Sequence, residues 1–185
     1  DQLDVEVVRG VCTASCPMCP IEETMWNKSV MDFNQFKNII DSFGEDIKKI
    51  SKVNLVGVGE VLVDVRLNEK IKYLKSKGVD HITIPTNASL LNKQTAKKIL
   101  DAGAREVIFG IDSMRKKIFE KVRKDLVFEE VLKNTLNFIK LRDKKNYDTI
   151  IHIRMILSQA NKDEWNSYKR YWQETNNMTD ENSPN

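Results

Sequence analysis

Strand-like and helix-like segments alternate five times along this chain, and that rhythm constrains its fold more than any other feature. Leu3-Asp4-Val5-Glu6-Val7-Val8 alternates apolar and polar before turning fully apolar, as a strand does. Lys52–Val56, His81–Pro85, Glu106–Ile111 and Ile150–Leu157 read as four more strands. Between them Phe33, Phe36, Ile39, Ile40 and Phe43 recur at helical spacing behind a capping box at Asp32-Phe33-Asn34-Gln35. Leu67, Ile71 and Leu74 mark a helix stopped by Gly78, and Ala96, Ile99 and Leu100 one stopped near Gly103. Phe128, Val131, Leu132, Leu136 and Ile139 define a strongly amphipathic helix. A last helix, capped from Asn161-Lys162-Asp163-Glu164, carries Trp165, Tyr168 and Trp172 as core or interface anchors. No hairpin signal separates any two strands, so they must pair through crossovers: the fold class is α/β with a parallel sheet.

In such sheets ligands bind beyond the carboxyl ends of the strands, and the unusual residues of this chain fall there. All three cysteines, Cys12, Cys16 and Cys19, lie within eight residues directly after the first strand. A closed structural zinc site takes four protein ligands, and neither His81 nor His152 stands at zinc-finger spacing from them. A cubane iron-sulfur cluster held by three thiolates keeps one iron free. The competing readings are a zinc-binding or thiol redox module built on Cys16-Pro17-Met18-Cys19. Gly57-Val58-Gly59-Glu60 follows the second strand, where the glycines let backbone approach a ligand closely and Glu60 can accept from an ammonium group; taken alone it is a common glycine turn. Thr86-Asn87 follows the third strand and Asp112-Ser113 the fourth, each also readable as a plain turn or helix cap. On the fifth strand His152 and Arg154 share one face, functional if it lines the interior and unremarkable if it is exposed.

The cysteine spacing of three residues and then two resembles the signature of the radical S-adenosylmethionine (radical SAM) enzymes. Gly57-Val58-Gly59-Glu60 is similar to that family's Gly-Gly-Glu motif, with Val58 and Val61 as departures. Thr86-Asn87-Ala88 resembles its Thr-Asn-Gly, and Ile111-Asp112-Ser113 its Ser-Ile-Asp segment with Gly110 in place of the serine. Arg123 followed by Phe128 resembles the Arg-x-Gly…Phe passage of peptide-modifying members, blurred by Lys124 and Asp125. The resemblance implies a partial (β/α) TIM-like barrel of about five to six parallel strands with outer helices. Cys12, Cys16 and Cys19 would hold a [4Fe-4S] cluster whose fourth iron chelates S-adenosylmethionine. Met18 (where an aromatic is usual), Gly57, Gly59, Glu60, Thr86, Asn87, Asp112, Ser113 and Arg154 would contact that cofactor: Glu60 its amino group, Asp112 or Ser113 its ribose, Arg154 its carboxylate. The implied activity is reductive cleavage to a 5′-deoxyadenosyl radical that takes a hydrogen atom from a small-molecule or peptide substrate, with flavodoxin or ferredoxin as electron donor. A catalytically degenerate member is the further alternative.

Composition narrows the setting. The net charge of +3 comes from 30 basic and 27 acidic residues spread along 185 positions, which indicates no nucleic-acid face. No apolar run approaches the roughly 20 residues of a membrane span, and three clustered thiols suit a reducing, cytoplasmic setting. Residues 1–175 are expected to form the radical SAM core domain and residues 176–185 a polar tail, disordered or a truncated linker. A sixth strand, and the further cysteine clusters common in peptide-modifying members, are either absent or lie outside the sequence.

Overall fold

The computed structural model describes residues 1–21 and 27–179, and side chains through residue 175. Its elements are β1 (Gln2–Arg9), β2 (Ser29–Val30), α1 (Phe33–Ser42), β3 (Lys52–Val58), α2 (Leu67–Ser76), β4 (Ile82–Thr86), α3 (Lys93–Ala102), β5 (Glu106–Gly110), α4 (Lys116–Val122), α5 (Phe128–Lys144), β6 (Ile150–Arg154) and α6 (Trp165–Thr179). One sheet runs in the order β2-β1-β3-β4-β5-β6. Every pairing is parallel except that of β2 with β1, so five strands form the expected parallel sheet. The sixth strand is a two-residue antiparallel edge within the stretch the sequence leaves irregular, and not another βα unit. The sheet is open, with β6 on its other edge.

Local sequence explains the helix ends. The Asp32 carboxylate accepts from the N–H groups of Asn34 (2.7 Å) and Gln35 (3.4 Å), and Asn92 does the same for α3 through Gln94 and Thr95. Gly103 ends α3 in the left-handed region at φ 88°, a conformation that costs glycine nothing. Two elements depart from the sequence reading. Helix α4 buries Phe119 alone, too little apolar repetition to declare itself. Asn161 does not cap the last helix: its amide donates to the carbonyls of Asp112 (2.7 Å) and Ile156 (2.9 Å), and a short 3-10 turn at Lys162–Glu164 leads into α6. That helix continues to Thr179, and residues 180–185 lie outside the described residues.

Alternation along each strand sorts the two faces. Val5, Val53, Leu55, Ile82, Ile84, Val107 and Phe109 point toward the helices and are buried. Phe109 meets Phe138 of α5 edge to face at 5.4 Å. On α6, Tyr168 joins this core and donates to the Ile111 carbonyl at 2.8 Å, whereas Trp165 stays exposed. The concave face is polar: the strand registers bring Asp4, Asn54, Thr83, Glu106 and His152 to it. Glu106 is the hub, accepting from Lys52 Nζ (2.7 Å), Thr83 Oγ1 (3.0 Å) and His81 Nε2 (2.7 Å), with His152 Nε2 at 3.2 Å. Burial pushes its carboxyl up, but the hydrogen bonds from Lys52, His81 and Thr83 outweigh that and hold it at about 2. A carboxyl depressed from 4.5 to about 2 stabilises the fold above pH 4.5, and the stabilisation fades as pH falls toward 2. The linkage is on the order of 3 kcal/mol. Urea denaturation across this pH range should therefore show a loss of stability that Glu106→Gln flattens; an unchanged slope in that variant would remove Glu106 from the account.

Candidate active site

The segments that follow β1, β3, β4 and β5 converge at the carboxyl edge of the sheet, as parallel topology requires. Backbone hydrogen bonds lock the cysteine loop to its neighbours: Gly10 N–H donates to Val58 O (2.7 Å), Glu60 N–H to Val11 O (2.9 Å) and Ser15 N–H to Lys124 O (3.0 Å). Side chains add to this, with Asn87 Nδ2 donating to Thr13 Oγ1 at 2.9 Å and Ser89 Oγ to Asn87 Oδ1 at 2.7 Å. The loop borders a cavity of about 690 Å³, and all three cysteines line it. Met18 stands at its rim, 44% exposed.

The three thiols are free, and among the described residues no three His, Cys, Asp or Glu side chains converge on a single metal position. Both histidines of the chain are held at Glu106 instead. Partial burial pushes the Cys12 and Cys16 thiols up; at Cys16 it outweighs the opposing pull of the Arg123 guanidinium. A [4Fe-4S] cluster gives each sulfur its own iron, so three thiols around one cavity fit it without converging on a single point.

Glu60 is 2% exposed and also lines the cavity. Its Oε1 accepts from Leu62 N–H (3.0 Å) and Thr86 Oγ1 (2.6 Å), and its Oε2 from Asn87 N–H (2.7 Å). Burial pushes this carboxyl up against those three bonds. Oε2 has room for one more donor, which a cationic ligand group in the cavity could supply. Thr86 and Asn87 thus orient Glu60 and tie it to the cysteine loop.

Three expectations change. Gly57 and Gly59 border the cavity, but what demands glycine is the protein's own backbone. A Cβ on Gly57 would lie 2.0 Å from Val8 O, and one on Gly59 2.4 Å from Val11 O. Gly57→Ala should cost about 3 kcal/mol through overpacking, read as a lowered urea midpoint; a loss under about 0.5 kcal/mol would mean that β1 and β3 part easily there. Asp112 and Ser113 do not line the cavity. Both are fully buried: Asp112 accepts from Arg123 Nε (2.6 Å) and Ile156 N–H (2.8 Å), and Ser113 Oγ donates to Glu164. The guanidinium beside the thiols is that of Arg123, which the sequence singles out without placing it in the site. It lies over Gly110, where a Cβ would come within 2.8 Å of Nη2. Arg154 lines the same cavity from the concave face and is exposed.

A family model described as the radical SAM superfamily matches residues 7–168. The chain belongs to the radical SAM superfamily. Its members are enzymes that use a [4Fe-4S] cluster and S-adenosylmethionine. A GTP 3′,8-cyclase of Aliarcobacter butzleri is 33% identical over 138 residues, 71% of this chain and 41% of that protein. Among solved structures, anSMEcpe with bound AdoMet and a Cp18Cys peptide superposes with TM-score 0.72 at 16% identity, covering 95% of this chain and 48% of that one. SuiB of Streptococcus suis bound to its precursor peptide SuiA gives 0.69 at 14% identity, covering 95% and 37%. The chain thus spans about two fifths of the curated relative it matches. The radical SAM resemblance also survives where its glycines are missing. Ala88 (φ 62°) and Asp125 (φ 69°), at the glycine positions of Thr-Asn-Gly and Arg-x-Gly, both adopt the left-handed backbone that glycine adopts freely. No helix among the described residues is long and apolar enough to cross a membrane.

Proposed function

We propose that this chain is the cluster- and cofactor-binding core of a radical SAM enzyme that removes a hydrogen atom from a small-molecule or peptide substrate. The observation that carries the reading is the meeting of three free thiols, a buried acceptor and a guanidinium in one cavity. Cys12, Cys16 and Cys19 would ligate the cluster as three thiolates, with no fourth ligand among the described residues. Held there, the cluster would supply the one electron that reductive cleavage of S-adenosylmethionine to methionine and a hydrogen-abstracting 5′-deoxyadenosyl radical requires.

This chain's residues bind and orient. Glu60 would accept from the cofactor's ammonium through Oε2. Arg123, aligned by Asp112 and adjacent to Cys16, would hold its carboxylate with the guanidinium nitrogens left free of Asp112. Met18 would pack on the adenine from the rim. Asp112 acts through Arg123, a positioning residue in place of the ribose ligand that the motif implies. Either kind of substrate has precedent among the relatives, one named for GTP and another solved with a precursor peptide. An external one-electron donor, a flavodoxin or ferredoxin, would reduce the cluster.

The test is anaerobic iron and sulfide reconstitution, followed by dithionite reduction in the presence of S-adenosylmethionine. Formation of 5′-deoxyadenosine and methionine in equal amounts is expected. A chain that takes up iron and sulfide yet yields neither product would sink the enzymatic reading.

A further inference from the structure

Resting on that reading, we infer that Arg154 binds an anionic oxygen group of the substrate, a carboxylate or phosphate, and not the carboxylate of S-adenosylmethionine. Of the charged side chains lining the cysteine cavity, Lys52 is neutralised by Glu106 at 2.7 Å and Arg123 by Asp112 at 2.6 Å. Glu60 is saturated except for one lone pair. Arg154 makes no ion pair or side-chain hydrogen bond among the described residues; its backbone belongs to the β5–β6 ladder, where its carbonyl accepts from Ile111 N–H at 3.0 Å. Among the described residues it is the one uncommitted cation on this wall.

Its location decides what it can meet. Arg154 is the register partner of Gly110, so it stands one strand beyond the glycine that Arg123 covers. Both side chains line the cysteine cavity, and with Arg123 already paired with Asp112 the second guanidinium is left to a different anion. Arg154 also lines a second cavity, of about 650 Å³, that runs along the open edge of the sheet between β6 and α6. The two cavities share it, so a molecule reaching the thiols from the open edge passes its guanidinium. The second cavity is itself cationic. Lys169 on its wall has no acidic partner among the described residues, and its one carboxylate, Glu106, already serves Lys52 and His81. Net positive charge along an approach raises the local concentration of anions and guides them in. A bidentate guanidinium at the end of that path suits a carboxylate or phosphate.

The test titrates inorganic phosphate and, separately, acetate into the cluster-loaded, S-adenosylmethionine-bound protein by anaerobic calorimetry at constant ionic strength. Wild type should bind at least one, and the stronger of the two identifies the anion type. Arg154→Gln should weaken that anion at least about tenfold, as loss of a charged hydrogen bond does. Arg154→Lys should restore part of it, and affinity for S-adenosylmethionine should stay within about twofold in both. Equal anion binding by wild type and Arg154→Gln, or no binding of either anion by wild type, overturns the inference. So does a parallel fall in cofactor affinity, which would return Arg154 to the methionyl carboxylate. Iron loading and cofactor binding are scored separately, so their failure strikes the proposed function, while the same anion titration on the unloaded chain still decides Arg154.

Discussion

Replacing any one of Cys12, Cys16 and Cys19 by alanine is expected to lower the iron content of the reconstituted protein from about four atoms per chain to below about one, and to abolish 5′-deoxyadenosine formation. The size of the effect follows from the lack of a spare ligand. Both histidines are committed to Glu106, and Glu60 and Asp112 are buried among their own donors. A lost thiolate therefore has no substitute among the described residues. The three positions sit on a loop held mainly by backbone hydrogen bonds from Gly10, Ser15 and Glu60, so the unloaded variants should unfold within about 1 kcal/mol of the unloaded wild type. Iron analysis, visible absorption and product chromatography on the same samples check this. A single alanine variant that keeps a full complement of iron would show that the thiols are not the ligands.

The second large effect lies outside the chemistry. Lys70 is fully buried, and its ammonium donates to Asp64 Oδ2 and Met31 O, both at 2.5 Å, with the Phe36 ring centre 5.7 Å away. Asp64 also accepts from Arg66 N–H at 2.9 Å. One side chain thus pins α2, the segment leading into α1 and the turn that follows Glu60. Lys70→Met keeps the volume and strands the Asp64 carboxylate, which should cost about 3–5 kcal/mol in urea denaturation. Adding Asp64→Leu removes the stranded charge and should recover at least about 2 kcal/mol of that loss. Strictly additive losses in the double variant would mean that the pair contributes by packing and not by charge.

Much of the architecture was legible in order and little of it in detail. The strand and helix alternation, the Asp32 cap and the stop at Gly103 are local, so each could be read from a few neighbouring residues. Helix α4 and strand β2 left no signal, because one buried phenylalanine and two exposed residues make no pattern. At the site, Ala88 and Asp125 obscured their motifs because a letter records the side chain, whereas those positions are defined by a left-handed backbone.

The sequence by itself determined that three thiols share one loop at the carboxyl end of a strand in a parallel α/β sheet. That conclusion needs only residue identity and the two periods of regular structure. Tertiary structure decided which partners the other site residues take. Arg123 stands by Cys16 because Asp112 fixes its Nε and Gly110 leaves it room; Gly57 and Gly59 face the carbonyls of Val8 and Val11; Arg154 has no ion-pair partner among the described residues. Such choices follow from strand pairing and loop closure between residues far apart in the chain, which bring together charges and backbone atoms that no local pattern encodes.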